Sequence, residues 1–312
     1  MKKIRGAVCG VGYLGRFHAQ KVKAHADCEL VGVYDARFEQ AQAVATELSV
    51  KTFTSLNEMA GQIDFVIIAA ATTAHYELAQ FFLDKKIPTL VEKPIAATSE
   101  QGFKLAELAK KHKVLFTVGH IERFNPSFDF IRTNKNKIKF LELNRCAPFK
   151  LRGSDVSVMH DLTVHDLDLV DELFNLFDPS SETQLEQTKI FGHKMITNTL
   201  DEVSLRLKLK NGIQITINNS RTTPLIIRNV RAVFTHQTLF MNTATGEGEI
   251  LTFDATAPEK TVTGKFKVQK VDALSLELNH FVGALQGKHS VKVDAVNAAR
   301  QLQKIEEFLQ SV

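Results

Sequence analysis

The sequence predicts an α/β chain in two parts: a doubly wound parallel-sheet domain over residues 1–122, then an α+β domain over residues 123–312 with an open, mostly antiparallel sheet. Three observations carry that expectation. Residues 3–118 alternate short, continuously apolar strand candidates with amphipathic helical runs, the texture of a parallel sheet covered on both faces. A glycine-bearing turn, Gly10-Val11-Gly12-Tyr13-Leu14-Gly15, lies between the first strand and the first helix. Beyond Asn125-Pro126 the pattern changes to a two-residue period, as in Val203-Ser204-Leu205-Arg206-Leu207-Lys208-Leu209, which buries one face and leaves the other polar.

In chain order, strands are expected at 3–9, 30–34, 52–53, 64–69, 89–91 and 115–118, where apolar residues run together without alternation. Helices are expected between them at 13–26, 38–48, 74–84 and 99–111. One helix, 161–177, precedes the two-period strands 187–195, 202–209, 213–219, 229–235 and 238–242. Asn211-Gly212 reads as a type I′ hairpin turn joining two of these strands. Residues 246–248 and 255–263 read as turns or surface loops. Helices near 273–285 and 294–309 close the chain, and the last is expected to be able to pack back on the first domain.

Composition narrows the function. A net charge of +4 over 312 residues, without a basic cluster, gives no reason to expect a nucleic-acid partner. No apolar run reaches the roughly twenty residues of a membrane span. The first residues lead straight into a strand, with no signal-peptide pattern. Cys9, Cys28 and Cys146 have no paired spacing and read as reduced thiols, not as a metal site. Together these point to a cytoplasmic protein with no metal.

The glycine turn reads as a dinucleotide-binding fingerprint, because it follows a strand, opens a helix and is followed twenty residues past Gly15 by an acid, Asp35, at a strand end. Gly10 permits the tight turn, Gly12 allows backbone N–H groups near a pyrophosphate, and Gly15 lets the helix pack on the strand. Tyr13 and Leu14 begin the helix whose N-terminus would face the phosphates. The Asp35 carboxylate can accept from the adenosine ribose and would repel a 2′-phosphate, which favours NAD. Arg37 nearby leaves NADP open.

Other candidates cluster at strand ends and near the junction. Glu92-Lys93-Pro94 follows a strand at the carboxyl edge of the expected sheet, where Lys93 could stabilise an alkoxide as hydride leaves. The tripeptide alone fits a solvated lysine before a helix better. Asp161 and His165 are four apart on an expected helix and share a face, so both can point into one site. That pattern equally fits a surface helix with an acidic face. Thr72 and His75 sit in another loop on the cofactor edge, with His75 more simply a local structural residue. Arg123, Asn125, Arg145 and Arg152 supply groups suited to phosphate or carboxylate near the junction.

Taken together, the glycine turn, Glu92-Lys93-Pro94 and Asp161-Leu162-Thr163-Val164-His165-Asp166 resemble the Gfo/Idh/MocA oxidoreductase family over the length of the chain. The resemblance implies an NAD(P) domain, a second domain with an open sheet, an active site between them, and Lys93, Asp161 and His165 as its site residues. Gly119-His120-Ile121-Glu122-Arg123-Phe124-Asn125-Pro126 and the segment from Arg145 to Arg152 are similar to one branch, the UDP-N-acetylglucosamine 3-dehydrogenases. The chain departs from the family at His160, usually apolar, and at Thr72-Thr73-Ala74, which lacks a common proline. The implied reaction is NAD-dependent hydride transfer from a sugar hydroxyl, the 3-hydroxyl of a UDP-N-acetylhexosamine in that branch. His165 would take the proton, Lys93 would stabilise the alkoxide, and Asp161 would hold substrate and tune His165; Lys93 and His165 could exchange the role of base. The alternatives are a dehydrogenase or reductase of an unactivated sugar or polyol, and an NAD-binding regulator without catalysis. A homodimer or homotetramer is expected through the second sheet, whose outer face is read as carrying Ile213, Ile215 and Ile217 or their neighbours.

Overall fold

The computed structural model describes residues 3–151, 156–178, 181, 184–254, 256–257 and 259–312. The chain divides into two compact units, Met1–Phe124 with Asp272–Gln303, and Asn125–Val271 with Lys304–Val312.

In the first unit the elements follow as β1 (Ile4–Cys9), α1 (Tyr13–Ala24), β2 (Cys28–Tyr34), α2 (Phe38–Leu48), β3 (Lys51–Thr52), α3 (Leu56–Ala60), β4 (Phe65–Ile68), α4 (Thr72–Asp84), β5 (Thr89–Glu92), α5 (Ser99–His112) and β6 (Phe116–Gly119). The sheet order is β3-β2-β1-β4-β5-β6 with every pair parallel, the doubly wound order that binds ligands beyond the carboxyl ends of its strands. β4, β5 and β6 are buried at every position because helices cover both faces, which is why they read as unbroken apolar runs. α1 buries Gly15, His18, Ala19 and Val22, the three- and four-residue spacing of one helical face. The five-residue α3, capped by the Ser55 hydroxyl accepting from Glu58 N–H, was too short to show a period in the sequence.

Residues 272–303 belong to this unit, although the sequence reading assigned all of 123–312 to the second part. The reason is packing. On α8 (Ala273–Leu285), Leu278, Phe281 and Val282 join the core that contains Val8, Phe65 and Leu90, with Phe281 edge-on to Phe65 at 5.6 Å between ring centroids.

The second unit begins with the short α6 (Asp129–Thr133) and is built on β7 (Ile138–Cys146), β8 (Leu185–His193), β9 (Glu202–Leu209), β10 (Gln214–Ser220), β11 (Ile227–Phe234), β12 (Gln237–Asn242), β13 (Glu247–Phe253) and β14 (Thr261–Lys267). Its order is β14-β13-β12-β11-β7-β10-β9-β8, antiparallel except for β7 beside β10. Three strands depart from the sequence reading. The central β7 was not foreseen, because Lys139, Glu142 and Arg145 interrupt its apolar residues. β13 and β14 occupy stretches read partly as turn or loop; β14 is exposed along nearly its whole length and so carries no burial period.

The turn at Asn211-Gly212 is also different. Leu209 C=O accepts from Gly212 N–H and Leu209 N–H donates to Ile213 C=O, with Gly212 at φ +86° and Asn211 outside the positive region. This is a type I turn closed by a glycine bulge, not type I′. The Asn211 side chain accepts from Ile213 N–H, an alternative to positive φ that the dipeptide alone did not reveal.

The outer face of this sheet is not the isoleucine surface expected. Ile215 and Ile217 are fully buried with Leu141, Leu143, Leu205 and Leu207 beneath α7 (Val164–Phe174), and Ile213 is nearly so. The opposite face carries a ladder of polar side chains: Ser204 donates to Asn218, Asn218 to Asn144 and Asn144 to Asn229, each at 2.9 Å. Strand parity decides this, since a one-residue shift exchanges the faces.

The closing helix α9 (Ala295–Gln310) gives Ala298 and Leu302 to a core of the first unit, and Ile305 and Phe308 to that of the second.

Candidate active site

The glycine turn of the first unit has the geometry its residues predict. Gly10 lies at φ +83°, and a Cβ there would fall 2.5 Å from the Ala70 backbone. A Cβ on Gly15 would lie 1.8 Å from Gly10 C=O, so α1 can approach β1 only with glycine at this place. Gly12 is the opposite case. Nothing lies within 4 Å of where its Cβ would stand, and it caps α1 with no side-chain cap and no acid in the first turn. A helix end of this kind favours an anion. Tyr13 beside it is 70% exposed and packs edge-on to Phe17, while Leu14 is half-buried.

Asp35 stands just beyond β2 and accepts from Val11 N–H at 2.9 Å and from Arg37 N–H at 3.0 Å. The carboxylate is thereby tied to the glycine turn, and Arg37 itself is largely exposed. An open donor cradle beside an oriented carboxylate fits a dinucleotide's phosphates and ribose.

At the end of β5, Lys93 is half-buried and joined to Pro94 by a cis peptide bond. Two neighbours at the same edge of the sheet are committed to this turn. Glu92 is buried, accepting from His18 Nε2 at 2.7 Å and from Lys93 N–H at 3.2 Å. His75 is also buried, its Nδ1 2.8 Å from Pro94 C=O and its Nε2 3.1 Å from Ala70 C=O. Burial pushes the His75 imidazole below its usual pKa, outweighing the two carbonyl acceptors, which favour the charged ring. Thr72 is the half-buried first residue of α4. Arg123 is buried, donates to Lys292 C=O at 2.9 Å, and accepts at its own carbonyl from Lys292 Nζ.

In the second unit the chain reaches α7 through a π-helical turn, Met159–Thr163, in place of the α-helical start expected. Such turns recur at functional sites because they displace side chains from regular helical positions. Asp161 lies within it and His165 in the first turn of α7, both half-buried. The next residue, Asp166, anchors this helix start. It accepts from Arg145 Nη2 at 2.8 Å and Nε at 3.0 Å, and from Asn219 Nδ2 at 2.7 Å. Arg145 and Asn219 are register partners on β7 and β10, which is how the sheet presents both to one carboxylate.

Arg145 was expected to meet substrate, but its charge is engaged in a buried pair inside the protein. Asn125 Oδ1 accepts from Ser127 N–H and caps the short turn at Pro126. Arg152 lies outside the described residues. His18, Asn219 and Glu277 went unremarked in the sequence. His18 sits three residues past Gly15 on the buried face of α1, and Glu277 is an acid on the apolar face of α8. Those were the available signals, and neither has meaning until the strands place a partner opposite. Cys9, Cys28 and Cys146 are free, and burial pushes the Cys28 thiol up to about 11. No helix among the described residues is long and apolar enough to cross a membrane.

Comparison with known proteins defines the class. Residues 4–120 match the family described as an oxidoreductase family with an NAD-binding Rossmann fold. Over that stretch the chain is similar to the Gfo/Idh/MocA oxidoreductases, and its cofactor is NAD. A UDP-N-acetylglucosamine 3-dehydrogenase of Acidithiobacillus ferrooxidans is 29% identical over 311 residues, covering 97% of this chain and 95% of that protein. A solved structure of that organism's enzyme superposes with a TM-score of 0.90 at 28% identity, over 100% of this chain and 98% of the other. A scyllo-inositol 2-dehydrogenase (NAD(+)) of Bacillus subtilis is 24% identical, covering 96% and 92% of the two chains.

Proposed function

We propose that this chain oxidises the 3-hydroxyl of a UDP-N-acetylhexosamine with NAD, as a cytoplasmic homo-oligomer. The observation that carries the substrate is the end-to-end likeness to a UDP-N-acetylglucosamine 3-dehydrogenase, in sequence over 97% of the chain and in fold at a TM-score of 0.90. The nicotinamide supplies a hydride acceptor. The chain supplies the rest. Lys93, at the end of β5, orients the sugar hydroxyl and stabilises the oxygen as its negative charge develops. His165 takes the hydroxyl proton, and Asp161 holds the sugar and favours the protonated imidazole. Gly10, Gly12, Tyr13, Leu14 and Gly15 receive the pyrophosphate, Asp35 receives the ribose, and Thr72 and Arg37 border the cofactor. Asp35 selects NAD over NADP.

One observation favours a second reading, an unactivated polyol such as an inositol. Arg145, expected to meet a diphosphate, is spent on Asp166, and an uncharged polyol does not need it. A panel of UDP-N-acetylglucosamine, UDP-N-acetylgalactosamine, free N-acetylglucosamine and myo-inositol, each with NAD, decides the matter by absorbance of the reduced cofactor. Turnover of a UDP sugar is expected. Turnover of inositol, with no UDP binding by calorimetry, would establish the polyol reading instead.

A further inference from the structure

Behind Lys93, within the first unit, three ionisable side chains meet in the interior. His18 of α1, Glu92 of β5 and Glu277 of α8 are 2%, 7% and 4% exposed, and their polar atoms lie within 4.8 Å of one another. Glu92 is satisfied by His18 and by Lys93 N–H. Gly119 on the neighbouring β6 makes room for it, since a Cβ there would fall 3.0 Å from the Glu92 carboxyl. Glu277 is different. Both of its oxygens are buried, and neither has a hydrogen-bond donor among the described residues.

An ionised carboxylate in that condition would carry a desolvation cost of several kcal/mol with nothing to offset it. A cation or a proton would remove that cost. The geometry disfavours a metal ion. His18 Nε2 and Glu92 Oε1 are 2.7 Å apart, a hydrogen-bond distance, whereas two ligands held about 2.0–2.1 Å from one zinc-like ion stand roughly 3 Å or more apart. The proton remains.

We propose that Glu277 is a neutral carboxylic acid that donates its proton to Glu92, and that this bond makes Glu277 a positioning residue for Lys93. The inference rests on the role given to Lys93 above. The path is short: the Glu277 carboxyl lies within 4.8 Å of Glu92, and Glu92 accepts from the Lys93 backbone N–H, which sets the start of the Lys93-Pro94 turn. Burial, then the Glu92 charge, push the Glu277 carboxyl well above its ordinary value. Burial alone would push Glu92 up as well, but the His18 hydrogen bond and charge, with Lys93, outweigh it and hold Glu92 down. The pair is thus divided into one acid and one anion, the usual outcome for two carboxyls in one site. The other ionisable groups nearby are His75 of α4, and Glu122 and Arg123 on the turn Ile121–Phe124 that packs against α8. Neutrality at Glu277 matters to Lys93 because a second carboxylate there would strengthen the ammonium form and oppose its exchange of a proton.

The test needs no sugar. Infrared difference spectra of the whole protein at neutral pH, wild type against Glu277→Gln, should show one protonated carboxyl C=O band lost in the variant. The amine of Lys93 is then titrated by NMR after isotopic dimethylation, with Lys93→Arg giving the assignment. Glu277→Gln, which keeps shape, neutrality and a donor, should leave the Lys93 titration where it is; Glu277→Leu, which removes the donor, should displace it. Absence of the band, a stoichiometric metal ion surviving dialysis, or one unmoved Lys93 titration in all three proteins would each overturn the proposal. Because neither readout uses turnover, a failed substrate panel with both results as expected would discard the sugar reading and leave the Glu277 bond intact.

Discussion

Asp35 has two tasks, and they can be separated by experiment. Its carboxylate holds the glycine turn through Val11 N–H, and in the proposed reading it also receives the ribose. Replacing it with Ser removes the charge and shortens the side chain. NAD affinity should fall roughly tenfold, the scale of one charge-assisted hydrogen bond, while NADP affinity rises. A titration in which the unmodified protein prefers NADP would refute this role. Lys93→Ala and His165→Ala should each lower kcat by roughly a hundredfold or more with NAD binding nearly unchanged. Single-turnover measurement with the active sugar checks this, and an undiminished rate in either variant removes that residue from the chemistry.

At the level of elements, the segment between β8 and β9 is held by one buried knot. Asp201 accepts from the N–H groups of Met195, Ile196 and Thr197 at 2.7, 2.6 and 2.9 Å, and from Arg221 Nε at 2.7 Å. Arg221 reaches on to Val156 C=O and to the Thr197 and Thr199 hydroxyls. Burial would raise the Asp201 pKa, but the three backbone donors and the guanidinium outweigh it and hold the carboxyl far below its ordinary value. The folded pKa is depressed, so the stabilisation is fully present above the unfolded value, about 3.9, and fades as pH falls through the folded value. Asp201→Asn should cost about 3–5 kcal/mol at neutral pH, because Arg221 loses the buried carboxylate beside it. The loss should shrink as pH falls below about 3.9, because the unfolded state then takes up a proton that the folded carboxylate does not. Urea melts at several pH values measure both. A variant as stable as the native protein at neutral pH would show that the knot contributes nothing.

For the whole molecule, association is expected through the polar face of the eight-stranded sheet. That face carries the asparagine ladder, the 49% exposed Phe240, and a groove of about 670 Å³ bordered by Glu142, Arg231, Glu249 and Lys265. The basis for association is no longer an apolar isoleucine surface but polar complementarity around an exposed aromatic, the kind of residue that anchors interfaces. Light scattering at micromolar concentration should show a dimer or tetramer, and Phe240→Asp should weaken association by roughly tenfold or more. A monomer in the unmodified protein would end the proposal.

The glycine turn and the parallel sheet of the first unit were legible in the residues themselves. Gly10 and Gly15 announce a turn because only glycine meets its backbone demands there, and unbroken apolar runs such as Phe65-Val66-Ile67-Ile68 announce a doubly covered sheet. These are local constraints, satisfied within a few residues, and so they are written locally. Which face of β10 is buried, that β7 is a central strand despite its charges, and that residues 272–303 belong with the first unit were decided by tertiary structure. So were the uses of Glu92, His75 and Arg145, whose partners His18, Pro94 and Asp166 stand 74, 19 and 21 positions away. A charged or polar side chain can serve a ligand or a buried partner equally well. The choice depends on what the fold brings within about 3 Å of it, and no spacing along the chain records that distance.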